Sequence, residues 1–236
     1  DLNLSGSGPV GGRGSALVTR GDITLSGTVN TAVSSLTPDT FKNTRISTSN
    51  GTLSLTGALN VAGTAGTTVT SLGGVNQAGA NIFNLTGVLS GTGTLEKSGT
   101  GVLLLEPSST TGFSGRVRVS SSATGGQSSV RVSTNDVFGT ANGTTTSAPV
   151  DMNGGVLEIR SDNSLAFGKN VYQRASSTIF VGPAVGGSGV NGTASFGSMA
   201  FEDNITNTFN SRNGFGLSFT TAPVVGRNRI ANGGWS

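Results

Sequence analysis

Short runs in which apolar and polar residues alternate occur from one end of this chain to the other. Asp1-Leu-Asn-Leu-Ser, Asp22-Ile-Thr-Leu-Ser, Thr52-Leu-Ser-Leu-Thr, Arg116-Val-Arg-Val-Ser, Val130-Arg-Val-Ser and Val156-Leu-Glu-Ile-Arg each keep a period of two over about five residues, the signature of strands with one buried face. Val102-Leu-Leu-Leu-Glu belongs with them. A period of 3.6 is missing, and Gly or Asn-Gly interrupts nearly every window long enough for a helix. The pattern predicts an all-β protein.

Several of these runs end alike, as Leu4-Ser-Gly, Leu25-Ser-Gly, Leu55-Thr-Gly, Leu85-Thr-Gly and Leu89-Ser-Gly. Strand–Gly units recurring every 20–30 residues or so point to a solenoid. One five-residue strand cannot bury its apolar side alone, but copies stacked in register place Leu on Leu in the interior and Ser and Thr in water. Tight corners need positive φ, which Gly and Asn supply at little cost. Asn-Gly pairs begin at Asn50, Asn142, Asn153, Asn191, Asn213 and Asn232. They also suit hairpins, so an antiparallel β-sandwich is the structural alternative.

Composition narrows the picture. Hydrophobic residues make up 33% of the 236 and charged residues 11%, with 39 Gly and no Cys or His. The apolar fraction and its alternation argue against a disordered tract. The net charge of +3 comes from scattered groups. Arg116, Arg118 and Arg131 come nearest to a basic cluster, with Phe113 the only aromatic nearby, which is not the interleaved patch of a nucleic-acid binder. No segment approaches the ~18 consecutive apolar residues of a membrane helix. The chain opens at Asp1, without Met or a leader-like segment, and reads as a processed product or a piece of something longer.

Residues 87–119 carry the most specific motif. Gly91-Thr-Gly-Thr-Leu-Glu-Lys-Ser-Gly-Thr-Gly-Val-Leu-Leu-Leu, a polar stretch, then Phe113-Ser-Gly-Arg-Val-Arg-Val resembles the autotransporter-associated β-strand repeat. Gly91, Gly93, Leu95, Lys97, Gly99, Gly101, Leu103, Leu105, Phe113 and Gly115 fall in step with that family's pattern. The resemblance implies a right-handed parallel β-helix, here of about ten coils, that is secreted or held at a bacterial cell surface. It implies a role in adhesion, aggregation or surface coating. Repeats are expected over 1–189, with the Phe-rich stretch 190–236 forming terminal coils or a cap or assembly region.

Candidate chemistry is sparse. Without His or Cys there is no Ser-His triad, thiol nucleophile or conventional zinc site, so no catalytic residue, cofactor or metal is assigned. Glu202-Asp203 is the sole adjacent pair of acids that could serve a polysaccharide-acting enzyme, and in a strand the two would point to opposite faces. Arg20-Gly21-Asp22 spells a tripeptide that integrins read, at the start of an expected strand rather than in an open loop. Gly6, Gly8 and Gly11 fit a dinucleotide fingerprint by letter, but no helix follows to bind a phosphate. Asp151, Asp162 and Asp203 stand alone in the sequence, outside any calcium-binding repeat. Expected partners are copies of the chain, associating end to end or side by side, and a host or neighbouring-cell surface or glycan. A subunit that stacks into filaments is the main functional alternative to a discrete rod.

Overall fold

A computed structural model describes residues 1–5, 16–32, 42–63, 68–74, 81–121, 128–143, 148–222 and 224–225. Among the described residues there are 25 strands and no helix. The chain visits three faces in a fixed order and returns one layer further along, which makes it a parallel β-helix.

The first face comprises Leu2–Ser5, Val29–Ala32, Leu59–Val61, Val88–Gly91 and Ser109–Phe113. Nine strands build the second: Leu17–Arg20, Lys42–Ser49, Thr68–Gly74, Thr94–Gly99, Arg116–Ser120, Val150–Asn153, Val171–Ala175, Met199–Phe201 and Val224–Val225. The third has eight: Ile23–Leu25, Gly51–Leu55, Asn81–Leu85, Gly101–Leu105, Ser128–Val132, Val156–Arg160, Ser177–Gly182 and Asn207–Ser211. Leu165–Ala166, Thr193–Phe196 and Gly216–Phe219 resume the first-face position in the C-terminal half. Residues 134–142 cross between the two first-face sheets without a strand. There Thr140 N–H donates to Phe113 O at 2.8 Å, and Asn135 Oδ1 accepts from Ala166 N–H at 2.7 Å.

Every strand pairing is parallel, and the only antiparallel contact among the described residues is an isolated bridge between Ser120 and Gly154. This excludes the sandwich, whose hairpins require antiparallel neighbours. The nine second-face strands come close to the expected ten coils. Coil length varies from 20 residues (Phe83 to Leu103) to 33 (Val117 to Val150). Such unevenness is tolerated because extra residues loop out at corners while the rungs stay in register. Strands of the 190–225 stretch pair with those before them, so the Phe-rich segment continues the stack.

Like packs on like inside. On the third face the ladder Leu53, Phe83, Leu103, Val130 and Leu157 is wholly buried. Leu95, Val117, Val150, Val171 and Met199 do the same on the second. Each such side chain contributes roughly 1.5–3 kcal/mol by leaving water. Phe138, Phe167, Phe196 and Phe219 form an aromatic column, with Phe167 and Phe196 stacked at 4.9 Å and Phe138 edge-on to Phe167 at 5.2 Å.

The recurrent Leu-Ser/Thr-Gly endings have two structural origins. Leu25, Leu55 and Leu85 are register partners that precede one corner. Leu4 and Leu89 instead lie on the first face. Of the Asn-Gly corners, Asn50, Asn191 and Asn213 adopt positive φ, whereas at Asn153 the following Gly154 does so. Asn232 lies outside the described residues, as do Gly6, Gly8 and Gly11.

Candidate functional site

The ten repeat residues occupy two consecutive coils and divide into glycines that let corners approach and side chains that fill the interior. A Cβ on Gly93 would lie 2.5 Å from Ala62 O, and one on Gly115 would lie 1.9 Å from Gly93 O. The same holds at the neighbouring corner, where a Cβ on Gly87 would sit 1.7 Å from Gly57 O. These glycines are fixed by axial spacing, since one coil's backbone rests directly on the next. Gly91, Gly99 and Gly101 have positive φ as well. Leu95, Leu103, Leu105 and Phe113 are fully buried.

Lys97 is also fully buried, at 0% exposure, in register with Leu72 before it and Val119 after it. Its Nζ donates to the carbonyls of Ser98, Gly99 and Thr100 at 2.8, 3.0 and 3.0 Å, and it sits 5.9 Å from the centre of the Phe83 ring. Three carbonyls converging on one ammonium tie the corner to the strand that leads into it. Asn81 extends this polar seam along the axis, accepting from Asn50 N–H at 3.1 Å and donating to Thr100 Oγ1 at 3.0 Å. Burial, followed by the positive charge of Arg45, lowers the Lys97 ammonium from 10.5 to about 7, with Glu96 acting in the opposite sense.

A second charged cluster lies outside the second face. Asp151, at 0% exposure, accepts from Arg116 Nη1 at 3.2 Å, Arg118 Nε at 2.9 Å and Arg174 Nε at 2.9 Å. The four residues come from three successive coils, so the cluster clamps the stack along its axis. Burial lowers the Arg116 guanidinium, and Asp151 opposes that shift. Arg174 lies over the Tyr172 ring at 4.8 Å. Burial, and then a hydrogen bond to Glu202, raises the Tyr172 hydroxyl.

These placements revise several readings of the sequence. Arg116 and Arg118 do meet, but Arg131 lies on the third face, where its Nε and Nη2 donate to Glu158 Oε2 at 3.0 and 2.9 Å. Asp151, isolated in sequence, is the most heavily paired acid among the described residues. Glu202 and Asp203 diverge, Glu202 held by Tyr172 and Asp203 exposed in a turn. Asp22 precedes its strand by one residue and caps the next coil, accepting from Thr52 N–H at 2.8 Å. Asp162 accepts from the backbone N–H groups of Ala184 and Gly189. Among the described residues no three of His, Cys, Asp and Glu gather as metal ligands. A cavity of about 330 Å³ opens between Phe201, Phe209, Phe215 and Phe219 at the last coils.

Lys97, a repeat position in the sequence, faces inward in the fold. The signal was present, because Lys97 is two residues from Leu95 and so on the same side of its strand. No such signal exists for Asp151 and its arginines, which are brought together only by coils of unequal length. No protein-family model, no curated protein and no solved structure matches this chain.

Proposed function

We propose that this chain is a stiff structural rod of an extracellular bacterial surface protein, serving adhesion, aggregation or surface coating. The observation that carries the reading is the unbroken parallel stack, in which the second-face sheet runs through nine consecutive layers. Such a rod resists bending and proteolysis because its backbone groups are paired along the axis and its interior is dry. At ~4.8 Å per layer its described length is about 40 Å. The outward surface offers mainly Ser, Thr, Asn and Arg, groups suited to many weak polar contacts with glycans or other surfaces. The resemblance of residues 87–119 to the autotransporter-associated repeat points the same way and rests on those residues alone.

The test is to fuse the chain to a heterologous anchor on a non-adherent bacterium, then measure cell aggregation and binding to glycan arrays and cultured cells. Binding or clumping above an anchor-only control is expected. Verified display with neither effect would sink the proposal.

A second reading, a subunit that stacks end to end, is supported by the exposure of Ile23 and Phe209. These are the outermost described members of the third-face ladder, each 38% exposed, whereas the residues between them are almost completely buried. Electron microscopy separates the readings, since axial fibres favour stacking and discrete short rods oppose it.

A further inference from the structure

The tripeptide Arg20-Gly21-Asp22 occupies a tight corner rather than the body of a strand. Arg20 closes the second-face strand Leu17–Arg20, and Asp22 precedes the third-face strand Ile23–Leu25. Gly21 makes the turn with a φ of +69°, and no atom lies within 4 Å of where its Cβ would stand. In an extended strand residues 20 and 22 would share one side. The positive φ at Gly21 breaks that geometry and gives an exposed turn. The corner is nevertheless fixed to the next coil. Gly21 N–H donates to Ser49 O at 3.3 Å, and Thr52 N–H donates to Asp22 Oδ1 at 2.8 Å.

Both charged side chains stay available. Arg20 and Asp22 are exposed, and among the described residues neither forms an ion pair. The bond from Thr52 uses one carboxylate oxygen of Asp22 and leaves Oδ2 open. Val18, 60% exposed, lies on the same outward side of its strand as Arg20 and offers an apolar contact beside the guanidinium.

We infer that this corner is a recognition site for a cell-surface receptor of the integrin class. Such a receptor pairs the guanidinium with carboxylates and lets the Asp carboxylate complete the coordination of a bound divalent cation. Each half of the corner suits that chemistry. A planar guanidinium favours bidentate carboxylate pairing, and a carboxylate oxygen is the hard ligand that Mg²⁺ or Ca²⁺ takes. A flexible peptide loses conformational freedom when it binds, whereas this corner is already held against a stacked coil.

The inference rests on the adhesion reading, of which it names one partner, and a solution assay tests it separately. The purified chain is passed over immobilised ectodomains of several integrins that read Arg-Gly-Asp, in buffer containing Mg²⁺. Expected are saturable binding, its loss in EDTA, and competition by a short linear peptide carrying the tripeptide. Asp22→Glu keeps the charge but moves the carboxylate by one methylene. It should weaken binding at least about thirtyfold, the loss of one hot-spot contact. Arg20→Ala removes an exposed side chain and should weaken binding as much, with an unchanged melting temperature. A wild-type chain that binds none of the receptors overturns the inference, as does binding that survives EDTA or either substitution. Surface display then separates the two readings: anchored cells that still clump or bind glycans keep the adhesion reading, and cells that do neither lose both.

Discussion

The buried ammonium of Lys97 makes the stability of this protein rise with pH across the neutral-to-alkaline range. In the unfolded chain the amine keeps its ordinary value of 10.5, whereas in the fold it falls to about 7. Between those limits the unfolded state binds a proton that the folded state does not, so folding is favoured as pH rises. The contribution is complete above pH 10.5 and is lost as pH falls through the folded value near 7. At ~1.4 kcal/mol per pH unit, the limiting magnitude is on the order of 5 kcal/mol. The charged groups acting on Lys97 are Arg45, which reinforces the shift, and Glu96, which opposes it. The background is quiet, because the chain has neither His nor Cys and a single Tyr. The Tyr172 hydroxyl is raised in the fold, so its contribution is present below pH 10 and fades above it, which marks the upper edge of a clean window. Urea denaturation from pH 7 to pH 10 should show stability climbing by several kcal/mol in the wild type. Lys97→Met keeps the volume and removes the titration, so its curve should be flat over that range. A wild-type curve that is level or descending, or a Lys97→Met curve that still climbs, would refute the assignment.

Other substitutions separate the forces that hold the stack. Gly87→Ala should cost several kcal/mol because its new Cβ would lie 1.7 Å from Gly57 O; Gly168→Ala, with positive φ but no atom within 4 Å, should cost only about 1 kcal/mol from strain. Comparing their chemical denaturation midpoints checks the contrast. Asp151→Ala leaves three guanidinium groups without their shared carboxylate and should destabilise by about 3–5 kcal/mol, and added salt should recover part of the loss in thermal melts. Phe196→Ala, at the centre of the aromatic column, should cost about 3–5 kcal/mol, whereas Phe209→Ala, 38% exposed, should cost much less in the same assay.

The all-β class, the solenoid repeat and the strands themselves are legible in this sequence because each depends on local pattern. A five-residue alternation has one apolar side, and only stacking against copies of itself removes that side from water. The glycines of residues 87–119 are legible for the same reason, since a corner resting on its neighbour excludes a Cβ wherever it occurs. The burial of Lys97 could be deduced from its phase with Leu95, but the three carbonyls that accept its protons depend on how the next corner bends.

What only the tertiary structure decided is which residues of different coils meet. Coils of 20 to 33 residues carry no fixed sequence spacing, so the convergence of Arg116, Arg118 and Arg174 on Asp151 is invisible along the chain. The same holds for the divergence of Arg131 to another face and for the continuation of the stack through Phe196 and Phe219. Local alternation selects the side of the strand on which a residue lies. Register between layers, set by backbone hydrogen bonds and by how much chain each corner loops out, selects its neighbours.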